Sequence, residues 1–80
     1  MRTFTVRAIW DAEAKVWVAT SEDVPGLATE ADTVERLIEK LNLIVPELLE
    51  LNGVVSDHRG EIPIELLAQK HIQLKPNKAA

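Results

Sequence analysis

Apolar and polar residues alternate over residues 3–10. Phe4, Val6, Ala8 and Trp10 share one parity, Thr3, Thr5 and Arg7 the other, and Ile9 is an apolar residue on the polar side. A period of two is the mark of a half-buried strand. Asp11, Ala12, Glu13 and Ala14 break the pattern, and a second strand is expected over 15–20, with Val16 and Val18 on one face and Trp17 and Ala19 on the other. A connection of about four residues joins antiparallel neighbours, because a parallel crossover needs a dozen or more. The even-numbered strand residues are expected to face the core, which leaves Trp17 on the outer face with Ile9.

After a polar break at Ser21, Glu22 and Asp23 comes Val24-Pro25-Gly26. Pro presets φ at the first central turn position and Gly accepts a positive φ at the second, which predicts a type II turn. A short third strand is expected over 27–30. Asp32-Thr33-Val34-Glu35 has the form of a capping box, with Asp32 as the expected cap. Behind it, Val34, Leu37, Ile38, Leu41, Ile44, Val45, Leu48 and Leu49 recur at helical spacing, opposite Glu35, Arg36, Glu39, Lys40, Glu47 and Glu50. Gly53 is the expected left-handed residue that closes this helix. Pro46 lies within it and predicts a kink near residues 42–45, since proline removes one N–H and crowds the preceding turn.

Residues 54–60 read as a loop. Alternation returns over 62–74, with Ile62, Ile64, Leu66, Ala68, Ile72 and Leu74 on one face and Glu65, Leu67, Gln69, His71 and Gln73 on the other. A strand is favoured there over a helix at 63–70, with Pro63 confining its start to an edge or opening position. The whole is an α+β fold: a small antiparallel sheet covered by one long helix, in the order β-β-β-α-β. It forms a single domain over residues 1–75, followed by a disordered tail at 76–80.

Length and charge narrow the function classes. Eighty residues allow one domain with a thin core. Forty-six per cent hydrophobic and 28% charged residues are unlike a disordered chain. A net charge of −4 disfavours binding nucleic acid through phosphate contacts, which needs clustered Lys and Arg, and suits a basic protein partner. No apolar run reaches the ~20 residues that span a bilayer, and the alternating N-terminus is not a signal peptide. A cytoplasmic location is expected.

Candidate chemistry is sparse. There is no cysteine, so disulfides, thiolate-bound metal and a thiol nucleophile are excluded. His58 and His71 lie thirteen positions apart with no further ligand at metal spacing, and zinc needs three or four. Asp11, Glu13, Glu22, Asp23, Glu30, Asp32 and Glu35 lie mostly in turns and caps, where carboxylates have local roles. Ser21 and Ser56 lack a nucleophile elbow and a partner base, and Gly26, Gly53 and Gly60 form no phosphate loop. No enzyme activity, metal or cofactor is expected. Exposed apolar residues on a sheet face are common interface anchors. Ile9, Trp17 and Leu67, with His71 beside them, are therefore the candidate protein-contact residues.

Residues 17–33, WVATSEDVPGLATEADT, are similar to the signature of HicB-like antitoxins: an aromatic strand, a Ser-x-Asp-Leu-Pro-Gly turn, a Thr, then Gly-Asp-Thr and a long helix. Ser21, Asp23, Pro25, Gly26, Thr29, Asp32 and Thr33 occupy the pattern, while Val24 replaces its usual Leu and Ala31 its usual Gly. The likeness spans roughly residues 3–51. The later stretch EIPIELLAQ resembles an uncharacterised HicB-related family of short proteins. The resemblance implies a truncated ribonuclease-H-like fold without catalytic acids. It also implies a protein, often dimeric, that neutralises a small basic RNA-cleaving toxin by direct binding. Many such antitoxins carry a C-terminal DNA-binding domain. Only PNKAA follows residue 75, so direct DNA binding is not expected. The expected function is thus a non-catalytic, antitoxin-like protein-binding module. The alternative is a stand-alone homodimer with a structural or small-ligand-binding role.

Overall fold

The computed structural model describes residues 3–54 and 61–76. In chain order they form β1 (Phe4–Asp11), β2 (Val16–Thr20), β3 (Ala28–Ala31), α1 (Val34–Leu51) and β4 (Ile64–Gln69). The order β-β-β-α-β is as expected, but the sheet is not wholly antiparallel. Its strands lie in the order β3-β2-β1-β4. β2 runs antiparallel to β1 and to β3, whereas β4 runs parallel to β1, with Phe4 opposite Ile64 and Ile9 opposite Gln69. The helix supplies the crossover that a parallel partner requires.

The β1–β2 hairpin sets the inner and outer faces. Asp11 pairs with Val16 and closes a four-residue loop, which puts Trp10 opposite Trp17, Ile9 opposite Val18 and Ala8 opposite Ala19. Directly opposed residues share a face. The inner face of β2 is therefore Trp17 and Ala19, not Val16 and Val18. The expectation that even-numbered residues face inward holds for β1 and β4 and fails for β2, because a four-residue loop pairs even with odd positions. The loop is held by Asp11: its Oδ1 accepts from the N–H groups of Glu13 (3.0 Å) and Ala14 (3.1 Å), and its carbonyl accepts from Lys15 N–H (2.7 Å). Lys15 takes φ of +59° to re-enter the sheet.

Beyond Thr20 the chain leaves the sheet, and Thr5 would have no backbone partner on that side. Side chains take over. Asp23 Oδ2 accepts from Thr5 N–H (2.7 Å), and Ser21 Oγ donates to the Thr5 carbonyl. The same Ser21 oxygen accepts from the N–H groups of Asp23 (3.0 Å) and Val24 (3.1 Å). The type II turn follows as expected, with Leu27 N–H donating to the Val24 carbonyl (3.2 Å) and Gly26 at φ +82°. Val24 and Leu27, on either side of the turn, are buried.

The helix buries Leu37, Leu41, Val45 and Leu49, one per turn. With Phe4, Val6, Ala8, Ala19, Val24, Leu27 and Ala31 they form the core. The cap is Thr33, one residue later than expected: its Oγ1 accepts from Arg36 N–H (3.1 Å). Asp32 instead makes an exposed ion pair with Arg36 at 3.6 Å. An N-cap is worth about 1 kcal/mol, an exposed pair of this kind ~0.3–0.5 kcal/mol. Thr33→Ala should therefore lower stability by about 1 kcal/mol and Asp32→Ala by roughly half that or less. Urea denaturation checks it, and equal losses in the two variants would move the cap to Asp32.

The helix runs unbroken through Pro46. It ends in a Schellman motif: Gly53 N–H donates to the Glu50 carbonyl (3.2 Å) and Val54 N–H to the Leu49 carbonyl (2.9 Å), with Gly53 at φ +66°. Asn52 Nδ2 ties this end to the turn by donating to the carbonyls of Leu48 (2.8 Å) and Pro25 (3.3 Å). The helix lies over β3 and β2 and leaves the inner face of β4 partly open, so Ile64 and Leu66 are only half-buried. The strand expected over 62–74 is shorter, ending at Gln69, and Ile72 and Leu74 beyond it are exposed. The loop expected at 54–60 lies, apart from Val54, outside the described residues, as does the tail beyond Pro76.

Candidate functional site

The sheet has one face under the helix and one face that no described element covers. The outer face carries Thr5, Arg7, Ile9 and Asp11 of β1, Val16, Val18 and Thr20 of β2, Ala28 and Glu30 of β3, and Glu65, Leu67 and Gln69 of β4. Its apolar residues are contiguous. Ile9 stands opposite Val18, and Leu67 lies diagonally across from Ile9, beside Arg7. Ile9 is 58% exposed and Leu67 41%, while Val18 is half-buried. Asp11, Glu30 and Glu65 surround the strip, with Arg7 the cation among them, so the face is apolar at its centre and acidic at its edges.

Of the four candidate contact residues, this face brings together Ile9 and Leu67. Trp17 is on the other side of the sheet. Its ring meets that of Trp10 edge-on, with centroids 5.4 Å apart and planes at 64°, a favoured aromatic geometry. Lys70 Nζ sits 4.2 Å above the Trp10 ring. Trp17 is thus part of the packing against the core and not an outer-face anchor. His71 lies two residues past the end of β4 and is exposed. Val18, absent from the expected set, takes the place foreseen for Trp17. The signal that finds it is the loop length, which fixes the hairpin register.

Two of the carboxylates considered for chemistry have structural duties. Asp11 caps the hairpin loop and Asp23 substitutes for a missing strand. Among the described residues, no three His, Asp or Glu side chains gather where they could hold a metal ion. No helix among them is long and apolar enough to cross a membrane. His58, Ser56 and Gly60 lie outside the described residues.

The Ser21–Asp23–Pro25–Gly26 segment has a clear physical role: it finishes the ladder of β1, turns the chain and docks the helix C-terminus. Residues 3–75 match the family model described as "Domain of unknown function (DUF1902)". The chain is also similar to the crystal structure of hypothetical protein TTHA1013 from the extremely thermophilic bacterium Thermus thermophilus. The two share 55% sequence identity over 92% of this chain and 99% of that one, with a TM-score of 0.70. No curated protein matches.

Proposed function

This chain belongs to the DUF1902 family, and on that footing we propose that it is a non-catalytic protein-binding module. It is antitoxin-like and neutralises a small basic RNA-cleaving enzyme by direct contact. The observation that carries this reading is the uncovered outer sheet face, where Ile9, Val18 and Leu67 make an apolar strip rimmed by Asp11, Glu30 and Glu65. An apolar centre with a charged rim is the usual anatomy of an interface. The rim and the net charge of −4 favour a basic partner by electrostatic steering. The likeness of residues 17–33 to HicB-like antitoxins supports the same reading. So does the arrangement of three strands, a crossover helix and a fourth strand, which fits a truncated ribonuclease-H-like fold. No catalytic role is assigned to Asp11 or Asp23, since each carboxylate is engaged with backbone amides.

The test pairs the purified chain with any small basic protein that a neighbouring gene encodes, and the absence of such a gene counts against the reading. The expected result is loss of that protein's RNA-cleaving activity at stoichiometric ratio. The double variant Ile9→Asp, Leu67→Asp should bind at least ~10-fold more weakly, about 1.4 kcal/mol, with an unchanged melting temperature. Ribonuclease activity that survives excess chain, or a variant that inhibits equally well, sinks the reading.

A further inference from the structure

A second surface, on the opposite side of the sheet, is left open in a different way. Between α1 and β4 runs a groove of about 410 Å³, lined among others by Ile38, Val45, Pro46, Ile62, Ile64 and Leu66. Beside it, β4 is the last strand of the sheet. Its sequence, IELLAQ, carries Glu65 as its one charge, and the proline and lysine that commonly guard an edge stand just outside it, at Pro63 and Lys70. Past Gln69 the chain does not fold back. Residues 71–76 are all exposed, with Ile72 at 65% and Leu74 at 83%. The molecule measures 57 × 25 × 19 Å with a radius of gyration of 15.9 Å, where a compact chain of this length has about 12 Å. An arm with two bare aliphatic side chains therefore accompanies an aliphatic groove that no described residue fills.

We propose that the groove and the free edge of β4 bind a second copy of this chain, with the two arms exchanged about a twofold axis. The axis passes through Gln69. The strand and its arm, residues 64–74, then pair antiparallel with the same residues of the second copy. Ile64 stands opposite Leu74 of the second copy, Leu66 opposite its Ile72, and Ala68 opposite its Lys70. These residues share the helix-facing parity, so the exchanged Ile72 and Leu74 enter the groove beside Ile64 and Leu66. On the outer side the same register sets Leu67 against His71. A twofold contact must be self-complementary, and this register matches apolar to apolar at both ends. Register in a strand pair is set by such matching, since a slip of one residue would turn every side chain to the wrong face. The contact lies at the sheet edge and groove, shares only Leu67 with the outer strip and leaves Ile9 and Val18 free, and does not depend on a toxin partner.

The absence of cysteine makes a direct test available. Gln69→Cys should give an oxidised, covalently linked pair, because the two sulfurs meet at the axis. Glu22→Cys, in the exposed loop after β2, should not. By light scattering the wild-type chain should have twice its 8.9 kDa mass. The variant Ile72→Asp, Leu74→Asp should have the single mass with an unchanged far-ultraviolet circular dichroism spectrum, since neither side chain is packed within its own chain. A wild-type monomer at high concentration overturns the proposal. So does a pair that survives Ile72→Asp, Leu74→Asp, or one that Gln69→Cys fails to link. A small apolar molecule occupying the groove of a monomer would count as the first of these.

Discussion

Leu37→Ala is expected to lower the unfolding free energy by about 3 kcal/mol, within the usual 2–5 kcal/mol range for a buried leucine truncated to alanine. Leu37 is fully buried, the largest side chain of the core to be so, and sits on the first turns of the helix facing the sheet. Its neighbours cannot close the gap. The core is one layer between a single helix and a four-strand sheet, and Ala8, Ala19 and Ala31 already bring the backbones close. A domain of 80 residues has roughly 4–12 kcal/mol of total stability, so this one change removes a large share of it. The melting temperature should fall by roughly 12–24 °C. Thermal melts followed by circular dichroism decide the matter, and a loss below ~1 kcal/mol, the size of a typical surface effect, would mean that the helix does not pack as described.

The second large effect is expected at Ser21. Its hydroxyl takes part in three hydrogen bonds, one donated to Thr5 and two accepted from Asp23 and Val24. Ser21→Ala removes all three and leaves backbone groups of Thr5 and Val24 to find water in a half-buried corner. Leaving such groups unpaired costs about 1–3 kcal/mol. Ser21→Thr keeps the oxygen and should recover most of the loss. Asp23→Ala should be similar in size, since it strips Thr5 of its other partner. Because both side chains hold the same residue of β1, the double variant should lose less than the two single losses together, with a coupling of about 0.5 kcal/mol or more. Strict additivity in denaturant titrations would show that Ser21 and Asp23 act separately.

Much of this fold is legible in the residues. Period-two alternation finds β1 and the core of β4, the leucine and valine spacing finds the helix, and Pro25-Gly26 and Gly53 find the turn and the C-cap. What escapes are features that depend on two segments at once. Alternation tells which residues of a strand share a face, but which face is inner depends on the register with the neighbour. The register comes from the loop, and Trp17 is misplaced by parity alone because the loop holds an even number of residues. Strand direction is also invisible in alternation: the pattern of Ile64, Leu66 and Ala68 reads the same for a parallel or an antiparallel neighbour. Alternation overestimates the length of β4 because Ile72 and Leu74 continue the pattern past Gln69, where the pairing with β1 ends. At the helix start, Asp32 and Thr33 are both good caps, and only backbone geometry selects Thr33, whose φ and ψ of −131° and 158° are extended. Of the contact surface, Ile9 and Leu67 are visible as apolar residues out of phase. Val18 is hidden, because within β2 alone it looks like the core.

The parallel placement of β4 beside β1 joins the first and last strands in chain order. Phe4 meets Ile64, about sixty positions apart, whereas every other strand pairing is between sequence neighbours. On a ribosome, the first three strands and the helix can emerge and collapse early, but β1 must wait for its last neighbour until about sixty further residues have been made. Loss of β4 would expose a flank of the first strand, leaving a partly assembled chain prone to stick to others.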